Sequence, residues 1–154
     1  MSQLPPNRFI LKQLFIPLLL LATTVFGQDN NALEGDDAHY LGYVLLTGDT
    51  SAWVNVKADD VYYLSKSLFL KKQDNLKFIK NDDLYFLGAA LISGEKEELD
   101  KIVRDDFYYL GMAIFDKKDT TLENIKSDDL YYLGKGLLSK DMNYFDQIST
   151  DKSE

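Results

Sequence analysis

The sequence predicts an all-α protein, an α-solenoid of five tandem 23-residue helix-turn-helix repeats. Three observations predict it. Aspartate pairs fall at 36/37, 59/60, 82/83, 105/106 and 128/129, every interval being 23 residues with no insertion or deletion. A fixed period of this length marks an array of supersecondary units. Within the unit, numbered from the first aspartate, apolar residues at positions 3, 6 and 10, and again at 18 and 21, keep helical spacing. Polar, turn-prone stretches such as SGEKEE, KKDTT and SKDMN separate the two sets,.

The elements follow in chain order. Arg8 and Lys12 precede an uncharged 14-residue stretch from Leu14 to Gly27. That run is shorter than the roughly 20 apolar residues a membrane span needs. A basic start, a short apolar run and small residues at Val25 and Gly27 read as a secretory signal peptide, 1–27, cleaved after Gly27. A linker (28–35), the five repeats (36–150) and a polar tail (151–154) complete the chain, and the expected destination is secreted or periplasmic.

Helix A of each unit covers about positions 2 to 12. Position 6 is leucine throughout: Leu41, Leu64, Leu87, Leu110 and Leu133. Position 10 is Leu45, Leu68, Leu91, Ile114 and Leu137. At about 100° per residue the apolar residues cover most of the circumference, so helix A is buried between neighbours. Position 7 is Gly42, Ser65, Gly88, Gly111 and Gly134. Glycine inside a helix costs about 1 kcal/mol relative to alanine, so close approach of another element is expected there. Helix B, about positions 15 to 22, shows a single stripe at 18 and 21 and is the outer, half-exposed helix.

The leading aspartates, Asp36, Asp59, Asp82, Asp105 and Asp128, sit where a helix begins directly after another ends. They read as helix caps, whose carboxylates accept bonds from free first-turn amides. Calcium ligation is the alternative, since an aspartate ladder offers hard oxygen ligands. Adjacent side chains diverge by about 100°, so carboxylates of neighbouring repeats would have to converge. Two aromatic columns lie beside the polar strip of helix A: His39, Tyr62, Tyr85, Tyr108 and Tyr131 at position 4, and Tyr40, Tyr63, Phe86, Tyr109 and Tyr132 at position 5. Stacked along the array they would form ladders, and tyrosine combines a rigid apolar face with a polar tip suited to recognition. Tyr62, Tyr63, Tyr85, Tyr108, Tyr109, Tyr131 and Tyr132 are the candidate partner-binding residues.

Leu130, Leu133, Gly134 and Leu137, with Leu84, Leu87, Gly88 and Leu91, and Phe107, Leu110, Gly111 and Ile114, follow an L-x-x-L-G-x-x-L pattern. This resembles helix A of tetratricopeptide and Sel1-like repeats, across residues 36–150. The resemblance implies a right-handed superhelix that binds peptides or proteins on its inner face without catalysis. The period departs from that of tetratricopeptide units, which run to about 34 residues.

Composition narrows the chemistry. The formal net charge is −8, which disfavours nucleic acid and anionic membranes, and loss of the signal would remove two positive charges and no acid,. No cysteine and a single histidine exclude the usual zinc sites,. There is no Gly-rich phosphate loop and no G-x-S-x-G. No catalytic residue, metal or cofactor is expected. The expected function is a non-enzymatic exported scaffold that binds a protein or peptide, basic for preference, through the tyrosine columns and the acidic edge. The alternative is a structural or calcium-stabilised, self-associating envelope or extracellular protein.

Overall fold

A computed structural model describes residues 33–149. The signal peptide, most of the linker and the polar tail lie outside the described residues. Five α-helices alternate with five 3₁₀ helices, and no strand occurs among the described residues. The α-helices are α1 (Gly35–Thr47), α2 (Asp59–Leu70), α3 (Asp82–Ser93), α4 (Asp105–Asp116) and α5 (Asp128–Ser139). No helix among the described residues is long and apolar enough to cross a membrane.

The second element of each repeat is shorter and tighter than the helix expected over positions 15 to 22. It is a six-residue 3₁₀ helix at positions 15 to 20: Thr50–Asn55, Gln73–Phe78, Lys96–Lys101, Asp119–Asn124 and Met142–Gln147. The backbone explains the difference. Position 13 turns the chain through the left-handed region, as Gly48, Lys71, Gly94, Lys117 and Lys140. Positions 21 and 23 are extended, as at Ile79 (φ −78°, ψ 126°) and Asn81 (φ −79°, ψ 115°). With a 12-residue α-helix and these joints occupied, only a short helix fits the period, and short helices favour i→i+3 bonding.

Each 3₁₀ helix works as a knob. Leu76, Leu99, Leu122 and Phe145 at position 18 are almost fully buried. Burial of such a side chain contributes about 1.5–3 kcal/mol. The hole is the glycine at position 7 of the next repeat. A Cβ on Gly88 would stand 2.7 Å from Leu76 Cδ2 and 2.9 Å from Leu64 Cδ1, and one on Gly111 2.6 Å from Leu99 Cδ2 and 3.0 Å from Leu87 Cδ1. The helix-propensity cost of glycine is thereby offset by contact across the repeat boundary. Where position 7 is Ser65, the knob before it is Trp53, and the indole Nε1 donates to Ser65 Oγ at 2.9 Å.

The array closes on itself. α1 packs against α5 as it does against α2, and also against the last 3₁₀ helix. Gly42 receives the final knob: a Cβ there would lie 2.7 Å from the Phe145 ring and 3.0 Å from Leu133 Cδ1. The five repeats therefore make one full circuit, each helix having a neighbour on both sides. This is why so much of helix A is apolar.

Candidate functional site

Three features are built from the repeat: an aspartate joint, a set of outer tyrosines and an axial cavity.

The joint uses the second aspartate of each pair, which sequence reasoning left out of its site residues. Asp37 accepts from the backbone N–H of Lys57 and Ala58 at 2.6 and 2.9 Å, and Asp60 from Lys80 and Asn81 at 3.0 and 2.9 Å. Asp83 takes Val103 and Arg104, and Asp106 takes Lys126 and Ser127. These N–H groups at positions 22 and 23 belong to extended chain and have no helical partner, so a carboxylate in the first turn of the same repeat's α-helix satisfies both. The fifth joint is made by the two ends of the described chain. Asp129 accepts from Ser149 N at 2.9 Å and from Gly35 N at 2.8 Å, Gly35, the residue just before the first repeat, taking the place of the fifth repeat's own position 23. His39, the histidine in the tyrosine column, lies at the same seam. Its Nδ1 is 3.0 Å from the Phe145 carbonyl, which can only accept, so Nδ1 carries the proton.

The leading aspartates are placed differently from the caps expected of them. Asp59, Asp82, Asp105 and Asp128 are the first residues of their helices and Asp36 is the second in α1. The N-cap is the residue before, because that position has the extended backbone a cap requires,. Asn81 and Ser127 perform the capping there, accepting from Leu84 N at 3.1 Å and Leu130 N at 3.4 Å. In the first turn a carboxylate still favours the positive helix end. Asp36 also pairs with Lys57 Nζ at 2.8 Å, while the other four are exposed. Among the described residues no group of three or more acidic or histidine side chains could hold a metal ion.

The tyrosines form pairs within each repeat rather than ladders between repeats. Tyr62 and Tyr63 meet edge to face with centroids 5.3 Å apart, Tyr108 and Tyr109 at 5.5 Å, Tyr131 and Tyr132 at 5.4 Å, and Tyr85 meets Phe86 at 5.3 Å. Neighbouring helices stand about 8–10 Å apart, beyond the 4.5–7 Å reach of ring pairs. The ring contacts that do cross a repeat boundary are those of Trp53, on Tyr62 and on Phe69, each at 5.8 Å. Tyr63, Tyr108, Tyr131 and Tyr132 pack part of their surface on the core, and Tyr85 is 38% exposed. Lys66 and Lys135 sit over the rings of Tyr62 and Tyr131, each at 5.6 Å. Lys135 also donates to Asp119 Oδ2 at 3.2 Å, which raises its pKa.

The cavity was not foreseen. It has a volume of about 510 Å³ and is lined by positions 6 and 10 of all five repeats, together with Leu33, Gly94 and Phe115. It is a cup. The position-6 leucines are at most 2% exposed and make the floor, with Leu33 at 0% beside them. The position-10 residues, four leucines and Ile114, are half-exposed and make the wall. The N-terminal end of the helices is closed further by Arg104, whose Nη2 lies 3.7 Å from Glu34 Oε1. The mouth therefore opens at the C-terminal ends of the helices, where Gly94 lies at the rim.

Comparison with known families, with curated proteins and with solved structures returns no match for this chain.

Proposed function

We propose that this chain is an exported, non-enzymatic binding scaffold that holds a protein or peptide partner on the outer tyrosines Tyr62, Tyr63, Tyr85, Tyr108, Tyr109, Tyr131 and Tyr132. The observation that carries the reading is the state of their hydroxyls. None makes a hydrogen bond among the described residues, and none is a buried unsatisfied atom. The polar tips therefore face water while the rings are held by their neighbours. Rings fixed in this way lose little entropy on contact, which is what makes tyrosine effective at interfaces.

Charge bears on the choice of partner. The chain carries 25 acidic against 17 basic residues, and Asp59, Asp82, Asp105 and Asp128 are exposed. A basic partner is favoured by the long-range field, with association slowed by salt. The apolar N-terminal stretch supports delivery to a secreted or periplasmic location.

The test is peptide-display selection against the chain, followed by the same peptides on a variant with Tyr62, Tyr85, Tyr108 and Tyr131 all changed to Ala. Enrichment of basic peptides, with binding lost in a variant that keeps its helical circular dichroism, supports the reading. Binding that survives in the folded variant rejects the tyrosine surface.

A further inference from the structure

We propose that the axial cup binds a single-chain amphiphile with an anionic head, of the fatty-carboxylate class. This site is separate from the outer tyrosines and stands without them.

The interior sets the tail. Its volume of about 510 Å³ lies in the ordinary range for ligand sites,. Every lining side chain is leucine, isoleucine or phenylalanine. A polar group carried to the floor would lose its hydrogen bonds to water and find no replacement. The part of the ligand inside must be hydrocarbon. From the position-6 floor to the position-13 rim the cup spans seven helical residues, about 10 Å at 1.5 Å per residue,. With a closed floor and one mouth, that shape takes one chain end-on.

The rim sets the head. Position 13 requires a left-handed backbone, which glycine adopts without strain, as Gly48 and Gly94 do,. Three repeats nevertheless place lysine there: Lys71 at φ 52°, Lys117 at φ 54° and Lys140 at φ 57°. Gly94, in the same slot, lines the cup. The three lysines therefore stand at the mouth, exposed and without an ion pair among the described residues. The next position carries Asp49, Glu95 and Asp141 beside Lys72 and Lys118. Asp49 and Asp141 accept from Ser51 N and Asn143 N at the start of the following 3₁₀ helix, and Glu95 is exposed. The two rim positions together hold five lysines against three acids. The helix C-termini contribute partial negative charge, and lysine in this slot offsets it and supplies exposed cationic side chains within reach of the opening. An anionic head on an apolar tail matches both parts.

The experiment is calorimetric titration of the full chain with decanoate and with decan-1-ol. It is repeated on a Lys71→Gly/Lys117→Gly/Lys140→Gly variant and a Leu91→Phe/Leu137→Phe variant. Comparison between variants of one chain removes any binding elsewhere as a common background. Decanoate is expected to bind the parent more tightly than the alcohol. The triple glycine variant should lose about tenfold for decanoate and nothing for the alcohol, while melting at a higher temperature because three strained residues are relieved. The phenylalanine variant, shown folded by circular dichroism, should lose about tenfold or more for both. Absence of decanoate binding to the parent overturns the proposal. So does unchanged binding in the filled, folded variant. Equal decanoate affinity in parent and triple glycine variant overturns the anionic head.

Discussion

Replacing Asp129 by Ala removes the one joint made between the two ends of the described chain. In the parent, Asp129 accepts from Ser149 N at 2.9 Å and Gly35 N at 2.8 Å. Hydrogen bonds to a charged group contribute about 1.5–3 kcal/mol each. Asp129 is half-buried, so water would partly replace the carboxylate. Taking the low end of that range for two bonds, the loss is about 3 kcal/mol. Asp83→Ala removes a bond pair of the same kind at an internal joint, to Val103 N at 2.8 Å and Arg104 N at 3.2 Å. In a closed ring the two variants should lose comparable stability, because each opens one of five equivalent joints. In an open array Asp129 would hold only a fraying end, and its removal would cost a few tenths of a kcal/mol. The assay is urea unfolding followed by circular dichroism, with the slope checked for two-state behaviour. A large loss for Asp83→Ala beside an Asp129→Ala variant indistinguishable from the parent would refute the closure.

Other expectations follow from the same packing. Gly42→Ala should lower stability by about 1 kcal/mol, since pressing a Cβ against the Phe145 ring outweighs the gain of about 1 kcal/mol in helix propensity,; thermal melting reads the sign, which would reverse if the last 3₁₀ helix did not cover α1. Trp53→Leu should destabilise, leaving the fully buried Ser65 Oγ without its donor at about 1–3 kcal/mol,. Adding Ser65→Gly to that variant should recover part of the loss by restoring the leucine-glycine pairing used elsewhere, and a double-mutant cycle measures the coupling. Leu33→Ala should lose about 2–5 kcal/mol in urea unfolding although Leu33 lies outside every repeat, because it is fully buried,.

The repeat and its helical character were legible because the same contacts are made five times. Position 18 of one repeat fills position 7 of the next, so large and small residues had to keep a register of 23. The 3₁₀ form of the second element was less legible, since a stripe at 18 and 21 suits either helix type. Closure was harder still, because a period describes the unit and not the rotation between units. Two residues did carry the signal. An open array would leave position 7 of its first repeat uncovered, with no reason for Gly42, and position 18 of its last repeat unfilled, with no reason for Phe145. The second aspartates were passed over for a related reason. Their partners are backbone N–H groups some 20 residues on, which no side-chain motif displays. The cup follows from closure alone, as positions 6 and 10 converge only when five helices surround an axis. The pairing of tyrosines within repeats likewise depends on helix separation, which composition does not reveal.

The most direct test of closure is a set of distances between spin labels at position 8 of successive helices, made easy by the absence of cysteine. One label stays at Tyr43→Cys on α1, and the second is moved to Lys66→Cys on α2, Ala89→Cys on α3 or Lys135→Cys on α5. A ring requires the α1–α5 distance to match α1–α2, with α1–α3 longer than both. Distances that increase steadily along the chain, with α1–α5 the longest, would contradict it.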